Sequence, residues 1–495
     1  MTRPVPLAVV LCFQACLLFF ALDLLPVWTD ELFTVMVVPH PIHEIASIVQ
    51  RDIHPPLYFV LLHEWSELPL PWAGVAALRA FSCLWALLAT VLLDLLWLRP
   101  LKPLERCLAL SLFALSPCLL LYGRMARSYS MQTTLALLAL AMLHRWMRKP
   151  RSAILPCAAL VSILALLYTH YVPGIAVLGG FILIGWRSIG VARVLAFAFA
   201  AALGYLPWLS TLAGALGRWG RATNFGASYT ISGNPLLEHI VKIGFGLVSL
   251  TIGESFLGLS LLLVPVILWL AWEGVRTPEI SRRFLALMTI TAAAGYLGVS
   301  RWASYPFIPA RLLWLLPFLC FAVALGISHL NRLPIRYAVM LAILLSYVSS
   351  YVMYFRRENF LNLGYAAPLR EIAATLNREA QPRDLILMDA YNTDSQALAA
   401  GLSGRTPYLV LERTNVSDAR SSIPTAATIW IVRNTRDISP GRITTSLQSE
   451  ACAGRQQLDT LLEPYAPWQM FAMKIAGFQP PLTHFYQLTE CRPAH

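Results

Sequence analysis

Two neighbouring carboxylates, Asp30 and Glu31, directly follow an apolar run, and a second group reads Arg51-Asp52-Ile53-His54-Pro55-Pro56-Leu57-Tyr58. Ionisable groups at the edge of hydrocarbon are costly, so each is a candidate for function. Asp30-Glu31 taken alone also fits a helix cap beside a solvated neighbour, and Asp52 alone fits a helix start. Proline fixes its own backbone and disfavours helix before it, so Asp52 and His54 project from an ordered turn. Further on, Tyr122-Gly123-Arg124-Met125-Ala126-Arg127-Ser128-Tyr129-Ser130 sets two arginines against the same interface. Arginine there either snorkels to lipid headgroups or, through its planar fork, grips a phosphate. Tyr168-Thr169-His170-Tyr171 closes one apolar run and Arg311, after Pro309-Ala310, opens another. A lone histidine in an aromatic belt is more often structural than a ligand. Every outer connection nevertheless contributes an acid, histidine, arginine or tyrosine near one membrane depth. That convergence suits a phosphate-linked lipid reacting with a second substrate at the membrane surface.

The elements that must position these residues are written in the composition. Of 495 residues, 57% are hydrophobic and 13% charged, against roughly 25% charged in an ordinary soluble chain. Up to about residue 355 the chain is built from apolar runs; beyond it the sequence reads as soluble. A spanning helix needs roughly 20 mostly apolar residues, and runs near 5–25, 75–98, 105–122, 128–146, 153–169, 172–186, 191–211, 256–273, 284–300, 310–329 and 336–355 predict about eleven spans. The first run has no small-residue cleavage pattern after it and is read as a span rather than a signal peptide. The formal charge of +12 does not point to nucleic acid, because Arg99, Lys102, Arg106, Arg145, Arg148, Lys149, Arg151, Arg187, Arg193, Arg276, Arg282, Arg283, Arg332 and Arg336 fall in alternate connections. That is the positive-inside bias of cytoplasmic loops. It sets the loop 26–74 outside and, with an odd number of spans, the C-terminal part outside too.

Two domains follow: a transmembrane catalytic domain, 1–355, with long outer loops 26–74 and 212–255, and an extracytoplasmic α/β domain, 356–495. Loop 26–74 predicts two interfacial helices, one with Ile42, Ile45, Ile48 and Val49 at helical spacing and one over 57–68 opening on the double proline. Loop 212–255, with Arg218, Arg221, Asn224, Glu238 and His239, reads as a mobile gate, and 236–251 within it as an interfacial helix or a span. The tail predicts a helix at 368–379, strands at 384–388, 407–411, 428–432, 471–475 and 485–488, and a helical stretch near 447–462. Seven of the nine cysteines sit in or beside apolar runs; an extracytoplasmic location permits Cys452 and Cys491 to pair.

Asp30-Glu31 after the first span, Asp52-x-His54-Pro55-Pro56-Leu57-Tyr58, Ala126-Arg127-Ser128-Tyr129-Ser130, Tyr168-Thr169-His170-Tyr171 and Arg311-Leu312-Leu313 together resemble the GT-C glycosyltransferases. The branch is that of protein O-mannosyltransferases, aminoarabinose lipid A transferases and bacterial glycosyltransferase family 39 proteins. The resemblance covers the layout of the whole chain and rests most on the two motifs of the first outer loop. It implies inverting transfer of a sugar from a polyprenyl-phosphate donor to a lipid, glycan or protein acceptor, on the periplasmic face of a bacterial inner membrane. Asp30 would be the carboxylate that takes the acceptor's proton, with Glu31 in support. Asp52, His54, Tyr58, Arg124, Arg127, Tyr129, His170 and Arg311 would hold donor phosphate and substrate. If a divalent metal binds, oxygens of Asp30, Glu31 or Asp52 suit magnesium or manganese, and His54 or His170 suits zinc; the candidate metal set is Asp30, Asp52 and His54. No other cofactor is implied. The chain departs from the aminoarabinose branch at His54, where that branch has lysine, and at Leu312, where many relatives have tyrosine. The rival readings are a transporter or flippase of lipid-linked glycan, which predicts pseudo-symmetric halves that the sequence lacks, a structural or assembly membrane protein with a receptor-like outer domain, and a polysaccharide polymerase or ligase.

Overall fold

The computed structural model describes residues 7–51, 54–221, 235–302, 309–389, 393–411, 422, 426–434, 454–460, 467 and 486–492. The chain divides into two compact units, Met1–Leu22 with Thr34–Glu358, and Asp23–Phe33 with Asn359–His495. The break expected after residue 355 lies at Glu358/Asn359. The segment Asp23–Phe33, which the sequence assigns to the membrane part, groups with the C-terminal unit because Asp23 and Trp28 are held there by side chains described below.

The larger unit is helical. Its first part holds α1 (Leu7–Phe19), the end of α2 (Thr29–Val37), α3 (Ile42–Arg51), α4 (Leu57–Ser66) and α5 (Gly74–Leu93), which runs on as a π turn over Asp94–Leu98. Next come α6 (Pro103–Ala114), α7 (Pro117–Arg124), α8 (Tyr129–Arg148), α9 (Ile154–Thr169), α10 (Tyr171–Ile189) and α11 (Val191–Arg221), and then helices Pro235–Ile252, Leu263–Val275, Arg282–Trp302, Leu316–Ser328 and Leu333–Arg356. Each apolar run read from the sequence overlaps at least one of these helices. Six helices among the described residues are long and apolar enough to cross a membrane, seven if the pair α6–α7, bent by 45°, is one span; α1, α9 and Lys242–Ile252 are apolar but shorter. The protein is thus multi-pass, although length and apolarity alone do not reach eleven. In α8 the reason is plain: Ser130, Gln132, Thr133 and Thr134 are all buried, so the helix faces protein rather than lipid and needs no uniformly apolar surface.

The two helices expected in the first loop are present as α3 and α4, with Pro56 at the N-terminus of α4. Within loop 212–255 the helix Pro235–Ile252 forms, while residues 222–234, on which the gate reading partly rests, lie outside the described residues. Helices Leu263–Val275 and Leu316–Ser328 pack backbone to backbone: a Cβ on Gly274 would meet the Ala322 carbonyl at 1.8 Å, and one on Gly326 the Leu270 carbonyl at 2.0 Å. Small residues at a crossing allow such approach in lipid, where packing rather than water exclusion drives association. The pair fixes the 3₁₀ turn Pro309–Leu315, which leads into Leu316–Ser328 and carries Arg311.

The smaller unit holds a five-stranded sheet in the order β2-β1-β3-β5-β4, built from β1 (Leu385–Asp389), β2 (Tyr408–Leu411), β3 (Ile429–Asn434), β4 (Gly454–Thr460) and β5 (Tyr486–Arg492). β1 pairs parallel with β2 and β3, while β5 pairs antiparallel with β3 and β4. Alternation along the strands sends Ile386, Met388, Trp430, Val432 and Leu488 to one face, against Leu369, Ile372 and Leu376 of the helix Leu369–Glu379. Leu385, Leu387, Ile429, Ile431 and Cys491 form the other core. Strands buried on both faces read as continuous apolar runs, as Leu385–Met388 of β1 and Ile429–Val432 of β3 do. The helical stretch expected near 447–462 is a mistake over 454–460, where Gln456, Gln457 and Leu458 favour helix locally. Pairing with β5 wins there, since tertiary context overrides weak propensity. The strand expected at 471–475 lies outside the described residues. Cys491 is disulfide-bonded; its expected partner Cys452 is outside the described residues, and the seven other cysteines are free.

Candidate active site

In the larger unit four connections bring together His54, Arg127, His170 and Arg311. Arg127 sits in the break between α7 and α8, 6% exposed. Its guanidinium Nη2 lies 2.7 Å from His54 Nε2. A guanidinium only donates, so His54 accepts through Nε2, and as a neutral imidazole it carries its proton on Nδ1. The pairing is held from behind: Ser82 Oγ on α5 donates to the Arg127 carbonyl at 3.2 Å and lies 3.0 Å from the hydroxyl of buried Tyr58 on α4. The double proline therefore does what the sequence implies, starting α4 so that Tyr58 and His54 reach the α7–α8 break.

His170 caps α10, its Nδ1 accepting from the Val172 backbone N–H at 3.2 Å. A nitrogen that accepts carries no proton, so the neutral ring keeps Nε2–H as a donor. Burial, with His54, Arg311 and Arg127 close by, pushes the His170 imidazole well below its usual range. Arg311 is held by its turn, where the Trp314 indole N–H donates to the Arg311 carbonyl at 3.1 Å. Two guanidinium groups beside two imidazoles place planar, phosphate-matching hydrogen-bond donors close together.

The other expected residues fall elsewhere. Tyr129 starts α8, buried, with its ring edge-on to Tyr122 at 6.1 Å. Arg124, 2% exposed, turns toward the end of α1: its Nη2 donates to the Phe20 carbonyl at 2.8 Å and to the Ala21 carbonyl. Its carbon lies over the Tyr354 ring at 5.4 Å. Arg79, buried on α5, donates to the Leu22 carbonyl at 2.8 Å. Arg124 thus clamps the exit of α1. Asp52 lies outside the described residues.

Asp30 and Glu31 belong to the smaller unit, in the first turn of α2, where the positive end of the helix favours carboxylates. Glu31, 1% exposed, accepts the Trp28 backbone N–H at 3.1 Å, the return half of a capping box. Asp30 beside it is half-buried. The two carboxylates therefore differ: one closes the helix start, the other remains the candidate base.

The sequence reading missed Glu254. It lies after Gly253 (φ 89°), 1% exposed, accepting from the Tyr122 hydroxyl and from Ser249 Oγ at 3.0 Å. Burial raises its carboxyl to about 7, against the two hydrogen bonds, which lower it. The signal was present as a single carboxylate between apolar stretches, which ought to be flagged on cost alone. Among the described residues no three His, Cys, Asp or Glu side chains are grouped to hold a metal. His54 Nε2 is also turned to a guanidinium, which is no neighbour for a cation. Of the expected metal set, Asp52 lies outside the described residues.

Comparison with protein-family models and with curated protein sequences finds no match. Among solved structures, ArnT from Cupriavidus metallidurans in the apo state superposes with a TM-score of 0.53 at 11% identity, covering 98% of this chain and 97% of that one. The same protein bound to undecaprenyl phosphate gives 0.51 at 11% identity over the same shares. The Archaeoglobus fulgidus oligosaccharyltransferase in the apo form gives 0.51 at 14% identity, covering 87% of this chain and 69% of that one. The chain has the fold of the GT-C membrane glycosyltransferases, with a small C-terminal sheet domain.

Proposed function

We propose that this protein is an inverting glycosyltransferase that moves a sugar from a polyprenyl-phosphate donor to a lipid, glycan or protein acceptor of the cell envelope, on the outer face of a bacterial inner membrane. The observation that carries the reading is the meeting of His54, Arg127, His170 and Arg311 in one place. Guanidinium forks match a phosphate bidentately, and apolar surroundings favour a phosphate carried on a lipid tail. The GT-C fold supports the class of reaction, and an undecaprenyl-phosphate complex is known for the structural neighbour ArnT.

In this reading the acceptor's nucleophilic oxygen or nitrogen attacks the anomeric carbon from the face opposite the phosphate. The new bond to carbon forms as the carbon–oxygen bond to phosphate breaks, and its electron pair leaves on the phosphate oxygen. Asp30 takes the acceptor's proton, a contribution of about 10²- to 10⁴-fold. Arg127 and Arg311 receive the charge that grows on the departing polyprenyl phosphate, and His170 Nε2–H adds an uncharged donor, the electrostatic help that weighs most in such steps. Glu31 holds the helix start that carries the base.

The test compares cell envelopes by mass analysis with the protein present, absent and as Asp30→Asn. A glycan or lipid that loses one sugar both without the protein and with the variant, while the variant accumulates normally in the membrane, supports the proposal. An Asp30→Asn envelope identical to wild type would refute it, and accumulation of unmodified lipid-linked glycan on the inner leaflet would favour a flippase.

A further inference from the structure

We infer that the C-terminal unit is a mount for the acid-bearing segment, with Arg370 and Tyr365 as positioning residues for Asp30; this rests on the reading of Asp30 as the base. The contacts run through two points of Asp23–Phe33. Arg370 Nη1 donates to the Asp23 carbonyl at 3.0 Å, and its Nη2 meets the Asp23 carboxylate at 3.0 Å. One guanidinium thus fixes both backbone and side chain at the start of the segment. At its middle, the Trp28 ring packs on the Tyr365 ring with centroids 4.6 Å apart, 8% and 3% exposed respectively. From Trp28 the link continues through its backbone N–H to the Glu31 carboxylate, and so to the first turn of α2, where Asp30 stands.

The far side of the mount is rigid. Tyr365 rises from the 3₁₀ turn Leu363–Ala366, closed by Asn362 Oδ1 accepting from the Gly364 N–H at 3.0 Å, and is backed edge-on by wholly buried Phe360. Arg370 stands on the helix Leu369–Glu379, whose Leu369, Ile372 and Leu376 are seated in the sheet core. The chemistry assigns the two contacts different shares. An exposed ion pair holds little energy, so Arg370 sets register, while the buried aromatic pair supplies most of the hold. A base must keep its place closely, since a displacement of about 1 Å costs on the order of 100-fold in rate.

The experiment uses the full chain in lipid nanodiscs and reads two quantities. Amide hydrogen exchange over residues 24–33 reports the segment, and turnover with the donor identified from the envelope comparison reports the base. Tyr365→Ala should speed exchange over 24–33 and lower kcat by roughly 10- to 100-fold with KM for the donor unchanged, while Tyr365→Phe, which keeps the ring, restores both. Arg370→Gln should act in the same direction by a smaller factor, with Arg370→Lys between it and wild type. Exchange in β1 and β3 is the folding control; if Tyr365→Ala loosens the sheet, Arg370→Gln, which removes only surface contacts, decides. Unchanged exchange over 24–33 with unchanged kcat in both Arg370→Gln and Tyr365→Ala overturns the inference. Faster exchange together with normal transfer by Asp30→Asn would instead overturn the base assignment and leave the mount without a catalytic purpose.

Discussion

Arg79 and Arg127 are buried to a similar depth in the same helical unit, yet they are used in opposite ways. Arg79 Nη1 donates to the Leu22 carbonyl and Arg124 Nη2 to those of Phe20 and Ala21, partners that never titrate, leave or exchange. Arg127 gives a donor to an imidazole and shares its surroundings with a second imidazole and a second guanidinium. Carbonyl-bound arginine is mortar for the fold. Arginine hydrogen-bonded to an imidazole has a partner whose place a phosphate can take without breaking the frame. Residue type and burial are therefore poor guides to role in a membrane protein; what separates the two is whether the partner can be exchanged for a ligand.

The largest expected effects would break that contrast. Arg127→Gln should lower transfer by about 10²- to 10³-fold, the usual loss when one preorganised donor to a developing oxyanion is removed, with little change in melting temperature. Arg79→Met should do the reverse: it leaves the Leu22 carbonyl without its donor and costs about 1–3 kcal/mol of stability, with turnover per folded molecule near wild type. Thermal unfolding in detergent beside turnover per folded molecule separates the two, and equal behaviour of both variants would erase the distinction.

A smaller effect is expected at Glu254, a buried acid that matches neither arginine pattern. Its carboxyl is raised from its usual 4.5 to about 7, burial being the main cause. A raised folded value means the stabilisation is whole below about pH 4.5 and lost as pH climbs through 7. The melting temperature should then fall between pH 5 and 8 in wild type and stay flatter in Glu254→Gln. Parallel curves for the two proteins would show that the carboxyl does not govern this slope.

Much of this was legible in the sequence, for identifiable reasons. Long apolar runs dictate helices because hydrocarbon leaves backbone groups no other partner, and Pro55-Pro56 sets the start of α4 through covalent geometry alone. The membership of the site was legible as types, His54, Arg127, His170 and Arg311 all standing at span ends. Their pairing was not, since the contact of His54 with Arg127 depends on Ser82 in the middle of an apolar helix, whose hydroxyl carries no signal in a sequence. Arg124 shows the converse failure. Nothing in Arg124-Met125-Ala126-Arg127 says that one guanidinium turns to backbone and the other to an imidazole; the bend at Pro117 and the exit of α1 decide it. In the tail, β1 to β3 were plain because they are short apolar, β-rich runs, whereas β4, which pairs with β5, reads by composition as helix.

The smallest effect sharpens the comparison most, because it asks directly whether the Arg127 cluster waits for an anion. His170 is depressed well below its usual 6.5, first by burial and then by His54, Arg311 and Arg127. A depressed folded value means stability is present above about pH 6.5 and lost as pH falls, because the unfolded chain gains a proton that the folded ring refuses. Glu254 gives the opposite slope over an overlapping range, so the measurement belongs in a Glu254→Gln background. There the melting temperature should drop from pH 6.5 to 5, and His170→Asn, which keeps an acceptor for the Val172 N–H without titrating, should flatten the drop while retaining the cap's roughly 1 kcal/mol. An anion beside the imidazole favours its protonated form, so saturating undecaprenyl phosphate should shrink the acid loss in the His170 protein and leave the Asn variant's pH slope unaltered. If the lipid phosphate shifts both proteins equally at every pH, it binds somewhere other than among these four side chains, and Arg127 falls back into the same class as Arg79.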